Sequence, residues 1–222
     1  VLLLGRSRVA LPLRAGAFSL SGAVFLAGVL GVYCGFGRAP RGDGSVSLDD
    51  FEGRAGCPDW WTSGSYSQRR VPGRRGRFLE VRGSGSSPDA RSIRGLYLRD
   101  DAGRLRALEL DVEGHGPTSG RMRIELAEDD NGNWEIERDR PGNLLFDDRF
   151  VRELIVDWVG WRRVVLPLGD FRDDNPGVGN DRFDPRREGG SGGLLDLRIF
   201  FAALGGHENE VRLGLDNLRW IP

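Results

Sequence analysis

The residues of this sequence that could do chemistry are aromatic, arginine and acidic side chains on short strand-like segments. An aromatic ring can stack on the apolar C–H face of a pyranose, while arginine and aspartate form directional hydrogen bonds with hydroxyl groups. Exposed aromatic rings beside such polar groups would therefore suit a sugar-binding surface. The candidates are Trp60, Trp61, Tyr66, Tyr97, Asp111, Arg123, Arg138 and Arg212.

The tryptophans also have a competing role, because most tryptophans of a β-sandwich lie in its core. Trp134 alternates with an isoleucine and is predicted to point inward. Trp158 and Trp161 flank a glycine, which is typical of a bend between strands, and one of the two is expected in the core. Trp60 and Trp61 are adjacent, so an extended segment would turn them to opposite sides and leave one exposed.

Catalytic patterns are scarce. The two histidines, His115 and His207, stand beside glycines in expected turns and belong to no Ser-His-Asp or zinc-binding pattern. Acidic residues such as Glu109 and Glu125 could in principle form a glycosidase pair across neighbouring strands. Charged outer faces of strands are usually only solvated, so we expect a protein that is not an enzyme.

The composition indicates one soluble β-rich domain. The 222 residues are 39% hydrophobic and 29% charged, and they include 34 glycines between strand-like segments. Residues 1–40 contain four arginines and no acid, so the remainder carries five more acidic than basic side chains. A mildly acidic domain lacks the excess positive charge of a phosphate-binding surface, and nucleic acid is therefore not an expected partner.

Hydrophobic periodicity predicts an antiparallel β-sandwich of about ten strands in two sheets. In RALELDVE, Leu108, Leu110 and Val112 alternate with acidic residues, and RMRIELAE shows the same period of two. A DNGN turn after this second segment predicts a hairpin to residues 133–139. Pro167 is expected to mark a strand end or edge.

The N-terminal segment predicts export. Residues 15–37 carry no charge and follow three arginines, as in a secretory signal, and they are also long enough to span a bilayer. We therefore expect residues 1–37 to be a signal peptide or a membrane anchor, and residues 38–45 to be a linker. Either reading places residues 46–222 outside the cytoplasm, in the extracellular space or the cell envelope.

Three motifs carry a family resemblance across roughly residues 46–221. LDDFE (48–52), WVGWRRVVLPLGDF (158–171) and LGLDNLRW (213–220) resemble, in order and spacing, carbohydrate-binding modules of the galactose-binding-like jelly-roll type. Family 11 is the nearest pattern. A related domain with the same ends occurs in complex I intermediate-associated proteins, where sugar binding is not established.

The resemblance implies an antiparallel jelly-roll β-sandwich that binds a polysaccharide or cell-surface glycan without catalysis, on the polar concave face of one sheet. The alternative is a structural or assembly-interaction domain of the same fold at the cell envelope. The resemblance also implies a structural calcium ion held by Glu52 and Asp216, assisted by Asp50. The acidic segment 172–185 lacks the spacing of a defined calcium loop and is interpreted as a solvated loop bordering the binding face.

Overall fold

The computed structural model describes residues 42–52, 60–74, 76–84, 91–100, 102–117, 119–186, 192–204 and 210–222. They form β1 (Val46–Asp49), β2 (Trp60–Gly64), β3 (Ser67–Gly73), β4 (Gly76–Ser84), β5 (Arg91–Asp100), β6 (Ala107–His115), β7 (Gly120–Glu128), β8 (Arg149–Val156), β9 (Val159–Pro167), β10 (Arg172–Asp173), β11 (Leu194–Ala202) and β12 (Glu210–Ile221). A short 3-10 turn spans Leu168–Asp170. The predicted leader, 1–37, lies outside the described residues.

The strands form two antiparallel sheets. The first has the order β3-β4-β12-β6-β9, and β1 pairs with β12 beyond the end of β4. The second has the order β10-β8-β7-β11-β5-β2. Strands that are distant in sequence are thus neighbours in each sheet, and the expected two-sheet, all-β jelly-roll sandwich is confirmed.

The alternating segments supply the core between the sheets. Leu108, Leu110 and Val112 of β6 are fully buried, and Met122 and Ile124 of β7 lie opposite them in the same cluster. The inward sides of β6 and β7 are therefore the sides that the period of two predicts.

The bend between β8 and β9 follows the prediction for its two tryptophans. Trp158 is buried and its Nε1 donates to the Val112 carbonyl oxygen at 3.4 Å, whereas Trp161 is 45% exposed. Gly160 between them has φ +83°, a conformation that favours glycine. Pro167 ends β9, as expected.

The predicted hairpin after β7 is wrong. Residues 133–139 form no strand, and β7 pairs instead with β8, twenty residues further along the chain. The carboxylate of Asp129 accepts hydrogen bonds from the backbone N–H groups of Asn133 and Trp134 at 3.2 and 3.0 Å. These bonds and the positive φ of Trp134, 59°, fold the segment into an irregular loop.

In the part of the chain that the structure describes, no helix has the length and apolar composition needed to cross a bilayer.

Candidate functional site

The outward side of the second sheet brings aromatic, arginine and acidic side chains together. We call this surface the sheet-two face; the residues that define it are Trp61, Gly95, Tyr97, Arg123, Glu125, Asp196 and Arg198. Each stands at the strand position that alternates with a core residue. The face therefore follows from the same period of two that builds the core.

Two aromatic residues occupy the β5–β2 side of the sheet-two face. Tyr97 on β5 is 58% exposed and lies opposite Asp196 of β11. Trp61 on β2 lies across Gly95, where an added Cβ would come within 2.3 Å of the indole ring. Since glycine has no side chain, the indole can lie flat on the sheet backbone.

An arginine–aspartate pair stands next to these rings. Asp196 is buried, and its Oδ2 accepts bonds from Arg198 Nε and Nη2 at 2.8 and 2.7 Å. The Arg198 guanidinium carbon is 5.6 Å from the centroid of the Trp61 ring. Asp196 thus fixes one edge of the guanidinium, and the guanidinium carbon lies over the Trp61 ring.

Arg138 approaches Asp196 from the loop between β7 and β8. Its Nη2 is 3.8 Å from Asp196 Oδ2, and its Nη1 donates to the Gly142 carbonyl oxygen at 2.9 Å. Burial, followed by the neighbouring Arg198, lowers the pKa of Arg138. Burial also raises the pKa of Asp196, against the opposing effect of the two arginines.

A second charged network lies on the β7–β8 side of the face. Arg123 donates to Glu125 Oε1 at 2.8 Å and to Asp174 Oδ2 at 2.6 Å, and Arg149 Nη2 is 2.9 Å from the same Asp174 oxygen. Burial opposes the charge of Arg123, but the hydrogen bonds to Glu125 and Asp174 raise its pKa. This part of the face is an ion-pair network, with Phe200 of β11 opposite Arg123 in the strand register.

A small hydrophobic cluster attaches the β7–β8 loop to the sheet. Leu144 is buried against Ala127 of β7 and Leu195 of β11, with Trp134 and Ile136 packed beside them. Leu195 falls at a register shift of β11, so it leaves the regular alternation. The cluster holds the loop that presents Arg138. Trp134 does face inward, but toward this cluster.

The structure brings four of the eight predicted binding residues to the sheet-two face: Trp61, Tyr97, Arg123 and Arg138. Trp60 turns the other way and packs against the main core. Tyr66 is buried with 5% exposure, and burial raises its pKa. These two side chains therefore belong to the interior of the sandwich.

The remaining two predicted residues lie on the opposite side of the molecule, on the first sheet. Asp111 Oδ1 accepts a hydrogen bond from Arg163 Nε at 3.1 Å, and its Oδ2 accepts one from Asn217 at 2.9 Å. Arg212 on β12 lies opposite Arg82 of β4. Neither shares a surface with Trp61 or Tyr97.

Sequence reasoning missed Asp196 and Arg198. Their signal was the pattern LLDLRIFF, where two polar residues interrupt an apolar strand at a spacing of two. The same pattern would fit a solvated strand face. Only the pairing of β11 with β5 and β7 shows that these side chains stand between Tyr97 and Glu125.

The acidic residues predicted to hold calcium are neighbours in the structure. Asp216 is half-buried; burial, followed by the charges of Asp111, Glu52 and Asp50, raises its pKa to about 6. A set of carboxylate oxygens is the donor chemistry that Ca²⁺ requires. Glu52 Oε1, however, already accepts the Arg77 backbone N–H at 3.1 Å.

Two other groups of acidic residues bring their carboxylate oxygens close together. Among the described residues, one carboxylate oxygen each from Glu128, Asp130 and Asp184 lie within 4.8 Å of one another, as do oxygens from a second group. That group is Asp148, Asp173 and Asp181. Acidic clusters of this structure thus have the spacing to hold a metal ion, although they are not the residues predicted to do so.

The fold is that of a known class of proteins. The chain superposes on the family 11 carbohydrate-binding module from Clostridium thermocellum in complex with a β-1,3-1,4-mixed-linked tetrasaccharide, with a TM-score of 0.55 and 18% identity. The match covers 80% of this chain and 95% of that module.

The family 11 module of the cellulosomal cellulase Lic26A-Cel5E of the same organism gives a TM-score of 0.54 at 18% identity, covering 82% and 96% of the two chains. No protein-family model and no curated protein matches the sequence. At this identity the similarity establishes a shared jelly-roll fold.

Proposed function

We propose that residues 46–222 form a non-catalytic module that binds a glycan on the sheet-two face. The observation that carries this proposal is the placement of Trp61 and Tyr97 beside the Arg198–Asp196 pair on one surface. Aromatic rings next to charged hydrogen-bonding groups match the two needs of a pyranose, an apolar platform and partners for its hydroxyls.

A β-glucan is the ligand class that we favour. One structure with the same fold is a module in complex with a β-1,3-1,4-mixed-linked tetrasaccharide. In this chain, Tyr97 would stack on a sugar ring, and Arg198 and Arg138 would donate to hydroxyls. Each contact contributes only about 1 kcal/mol net, so the affinity should be modest.

The absence of catalysis is supported by the state of the acids on this face. Glu125 and Asp174 each form an ion pair with Arg123, at 2.8 and 2.6 Å. A glycosidase needs one carboxylic acid that donates a proton to the leaving oxygen. Carboxylates held by arginines are poorly suited to that role.

Affinity electrophoresis of the 222-residue chain tests the proposal and names the glycan class. Gels containing mixed-linked β-glucan, xylan, mannan or peptidoglycan-type glycans would each be run with calcium and with a chelator. We expect retardation in the β-glucan gel. Retardation in another gel would correct the class, and none in any gel, from a folded protein, would refute glycan binding.

The second candidate is an assembly-interaction domain of the same fold. It is favoured by the Arg123–Asp174–Arg149 network and by Ile155, which is 57% exposed on the neighbouring strand. Its charged groups are already paired with one another, and its exposed apolar side chain, Ile155, is aliphatic. If no glycan retards the protein, this becomes the better proposal, and the partner would be a protein at the cell envelope.

Export through residues 1–37 is also part of the proposal. The basic, then uncharged N-terminal segment supports it. Fractionation of cells that produce the full chain should place the protein in the medium or the envelope. Recovery in the cytoplasmic fraction, with the N-terminus intact, would contradict both the signal and the anchor.

Calcium bound by Glu52, Asp50 and Asp216 remains a proposal as well. The surroundings of Asp216 support it, because burial and then the charges of neighbouring acids, Glu52 and Asp50 among them, raise the pKa of this half-buried carboxyl. Asp216→Asn should then bind one Ca²⁺ fewer than the unmodified chain in a calorimetric titration. Unchanged stoichiometry would remove these residues from the site.

A further inference from the structure

We infer that a second, separate Ca²⁺ site lies where the β7–β8 loop meets the segment between β10 and β11, with Asp148, Asp173 and Asp181 as its carboxylate ligands. This inference does not depend on glycan binding. Asp173 and Asp181 belong to the acidic segment that the sequence alone presents as a solvated loop.

The spacing of the three carboxylates fits one ion. Their oxygens lie within 4.8 Å of one another. Oxygens that bind a single Ca²⁺ at about 2.4 Å are separated by at most about 4.8 Å. Asp148 enters from the start of β8, Asp173 from β10, and Asp181 from the following turn, where it has φ +58°.

One oxygen of each of these acids accepts a backbone N–H. Asp173 Oδ1 accepts the Asn175 N–H and Asp181 Oδ1 accepts the Gly177 N–H, at 2.8 and 2.7 Å. Asp148 Oδ2 accepts the Asn180 N–H at 3.2 Å. Asp148 has no exposed surface, and its other oxygen, Oδ1, is buried without a hydrogen-bond partner.

A buried carboxylate oxygen without a partner is costly unless a cation or a proton supplies one. Among the described residues, no ion pair within 4.0 Å joins an arginine to Asp148, Asp173 or Asp181. The nearby Arg149 pairs with Asp174 instead, at 2.9 Å. The cluster thus has an excess of negative charge that the arginines around it do not balance.

Two further acids, Asp130 and Asp147, add to this negative charge. Asp130 lies against Asp148, whose N–H donates to Asp130 Oδ2 at 2.8 Å, and Asp147 is buried with one unpartnered oxygen, Oδ2. Without a cation, the fold must carry the repulsion between these neighbouring carboxylates.

The backbone leaves room for the carboxylates. Gly179, at φ +77°, stands where an added Cβ would lie 2.5 Å from both Asp130 Oδ2 and Asp148 Oδ1. Asn180 then closes the loop by donating to Asp130 Oδ1 at 2.6 Å. A side chain at position 179 would therefore collide with the carboxylates of Asp130 and Asp148.

Calcium is the cation that fits this donor set. The cluster offers carboxylate oxygens from three separate segments and no histidine or cysteine, which zinc prefers. Mg²⁺ demands a near-ideal octahedron, whereas Ca²⁺ accepts irregular arrangements of carboxylates and carbonyls. An ion here would join β8, β10 and the acidic turn, next to the loop that presents Arg138.

The test is a calorimetric titration of Ca²⁺ into the 222-residue chain after treatment with a chelator. Asp181→Asn is the main variant, because Asp181 is exposed and asparagine can still accept the Gly177 N–H. We expect its affinity at one site to fall about tenfold or more. Asp157→Asn, an exposed acid at the other end of β8, should bind calcium like the unmodified chain.

Asp148→Asn adds a readout that a purely structural acid would not give. In chelator, this variant should melt at the same or a higher temperature than the unmodified chain, because a buried repulsive charge is gone. In calcium, it should melt lower. The inference is overturned if Asp148→Asn and Asp181→Asn both keep the unmodified affinity and stoichiometry, or if the unmodified chain binds no Ca²⁺ at millimolar concentration.

Discussion

At the scale of single residues, the same kind of ion pair has different roles on the two sides of the sandwich. Asp196 has 2% of its side chain exposed and its partner Arg198 has 18%, whereas Arg163, which pairs with Asp111, has 58% exposed. Water screens the exposed pair strongly and the buried pair weakly. The buried pair should therefore matter for stability as well as for the shape of the binding face.

Replacing Arg198 by alanine leaves a buried carboxylate without its nearest cation. We expect Arg198→Ala to lower the free energy of unfolding by about 3 kcal/mol. Arg163→Ala, the matched control on the first sheet, should cost at most about 1 kcal/mol. Urea denaturation of both variants measures the difference, and equal losses would show that Asp196 is not stabilised by Arg198.

The stability lost in Arg198→Ala should also depend on pH. Burial already raises the folded-state pKa of Asp196 above its unfolded value of 3.8, and loss of Arg198 raises it further. Below about pH 4 the acid is protonated in both states, so the loss is smallest there. The loss should grow as the pH rises through the folded-state pKa. A loss that shrinks toward neutral pH would contradict this assignment.

The adjacency of Trp60 and Trp61 predicted that the two rings face opposite ways, and the pairing of β2 with β5 confirms it. The expectation that one of them is exposed is not met, because both residues are half-buried. Tyr66 stands two residues beyond the end of β2, in the bend just before β3, where no alternation fixes its direction. The sequence therefore identified candidate aromatic residues, but their final sides depended on strand boundaries that the sequence does not define.

At the scale of elements, the paired strands β2 and β5 also contact each other through Trp61 and Gly95. The indole ring lies where a side chain on residue 95 would stand. Close contact between a ring and the backbone both shields the strand pair and sets the height of the ring above the sheet. The aromatic part of the sheet-two face thus depends on one glycine.

Gly95→Ala should displace the Trp61 ring. The new Cβ would come within 2.3 Å of the ring, so we expect a loss of about 1–3 kcal/mol in the free energy of unfolding and weaker glycan binding. Gly169→Ala is the control, because nothing lies within 4 Å of its Cβ position. Denaturation and gel retardation measure both effects; normal behaviour of Gly95→Ala would contradict the proposed packing.

The same scale shows why the hairpin prediction failed. A DNGN turn favours a hairpin when both flanks pair, but Asp129 captures two backbone N–H groups after the turn. Those donors would have served a strand ladder. The long β7–β8 loop that results carries both Arg138 and the acids next to Asp148. A hairpin prediction therefore could not anticipate the position of either.

At the scale of the whole molecule, the sequence predicted the sandwich and missed the arrangement of its surfaces. Period-two segments such as RALELDVE define the core without any knowledge of strand order. The sheet order β10-β8-β7-β11-β5-β2, by contrast, places Tyr97, Asp196 and Glu125 on one face although they are far apart in the chain. Strand register decides such neighbours, and local sequence patterns do not encode it.

The two outer faces make the central claim testable within one molecule. Trp161 on the first sheet is 45% exposed and packs edge-on against Phe78, with ring centroids 5.2 Å apart. It therefore offers an exposed tryptophan on the opposite side from Trp61. A ligand that only seeks exposed aromatic surface would have a choice between the two faces.

The most direct measurement is calorimetric titration of the glycan that retards the chain most into Trp61→Ala, Tyr97→Ala and Trp161→Ala. Loss of a stacking ring costs about 1 kcal/mol or more, and 1.4 kcal/mol is tenfold in affinity. We predict weaker binding by Trp61→Ala and Tyr97→Ala and unchanged binding by Trp161→Ala. Unchanged binding by the first two variants, or a loss confined to Trp161→Ala, would contradict a glycan site on the sheet-two face.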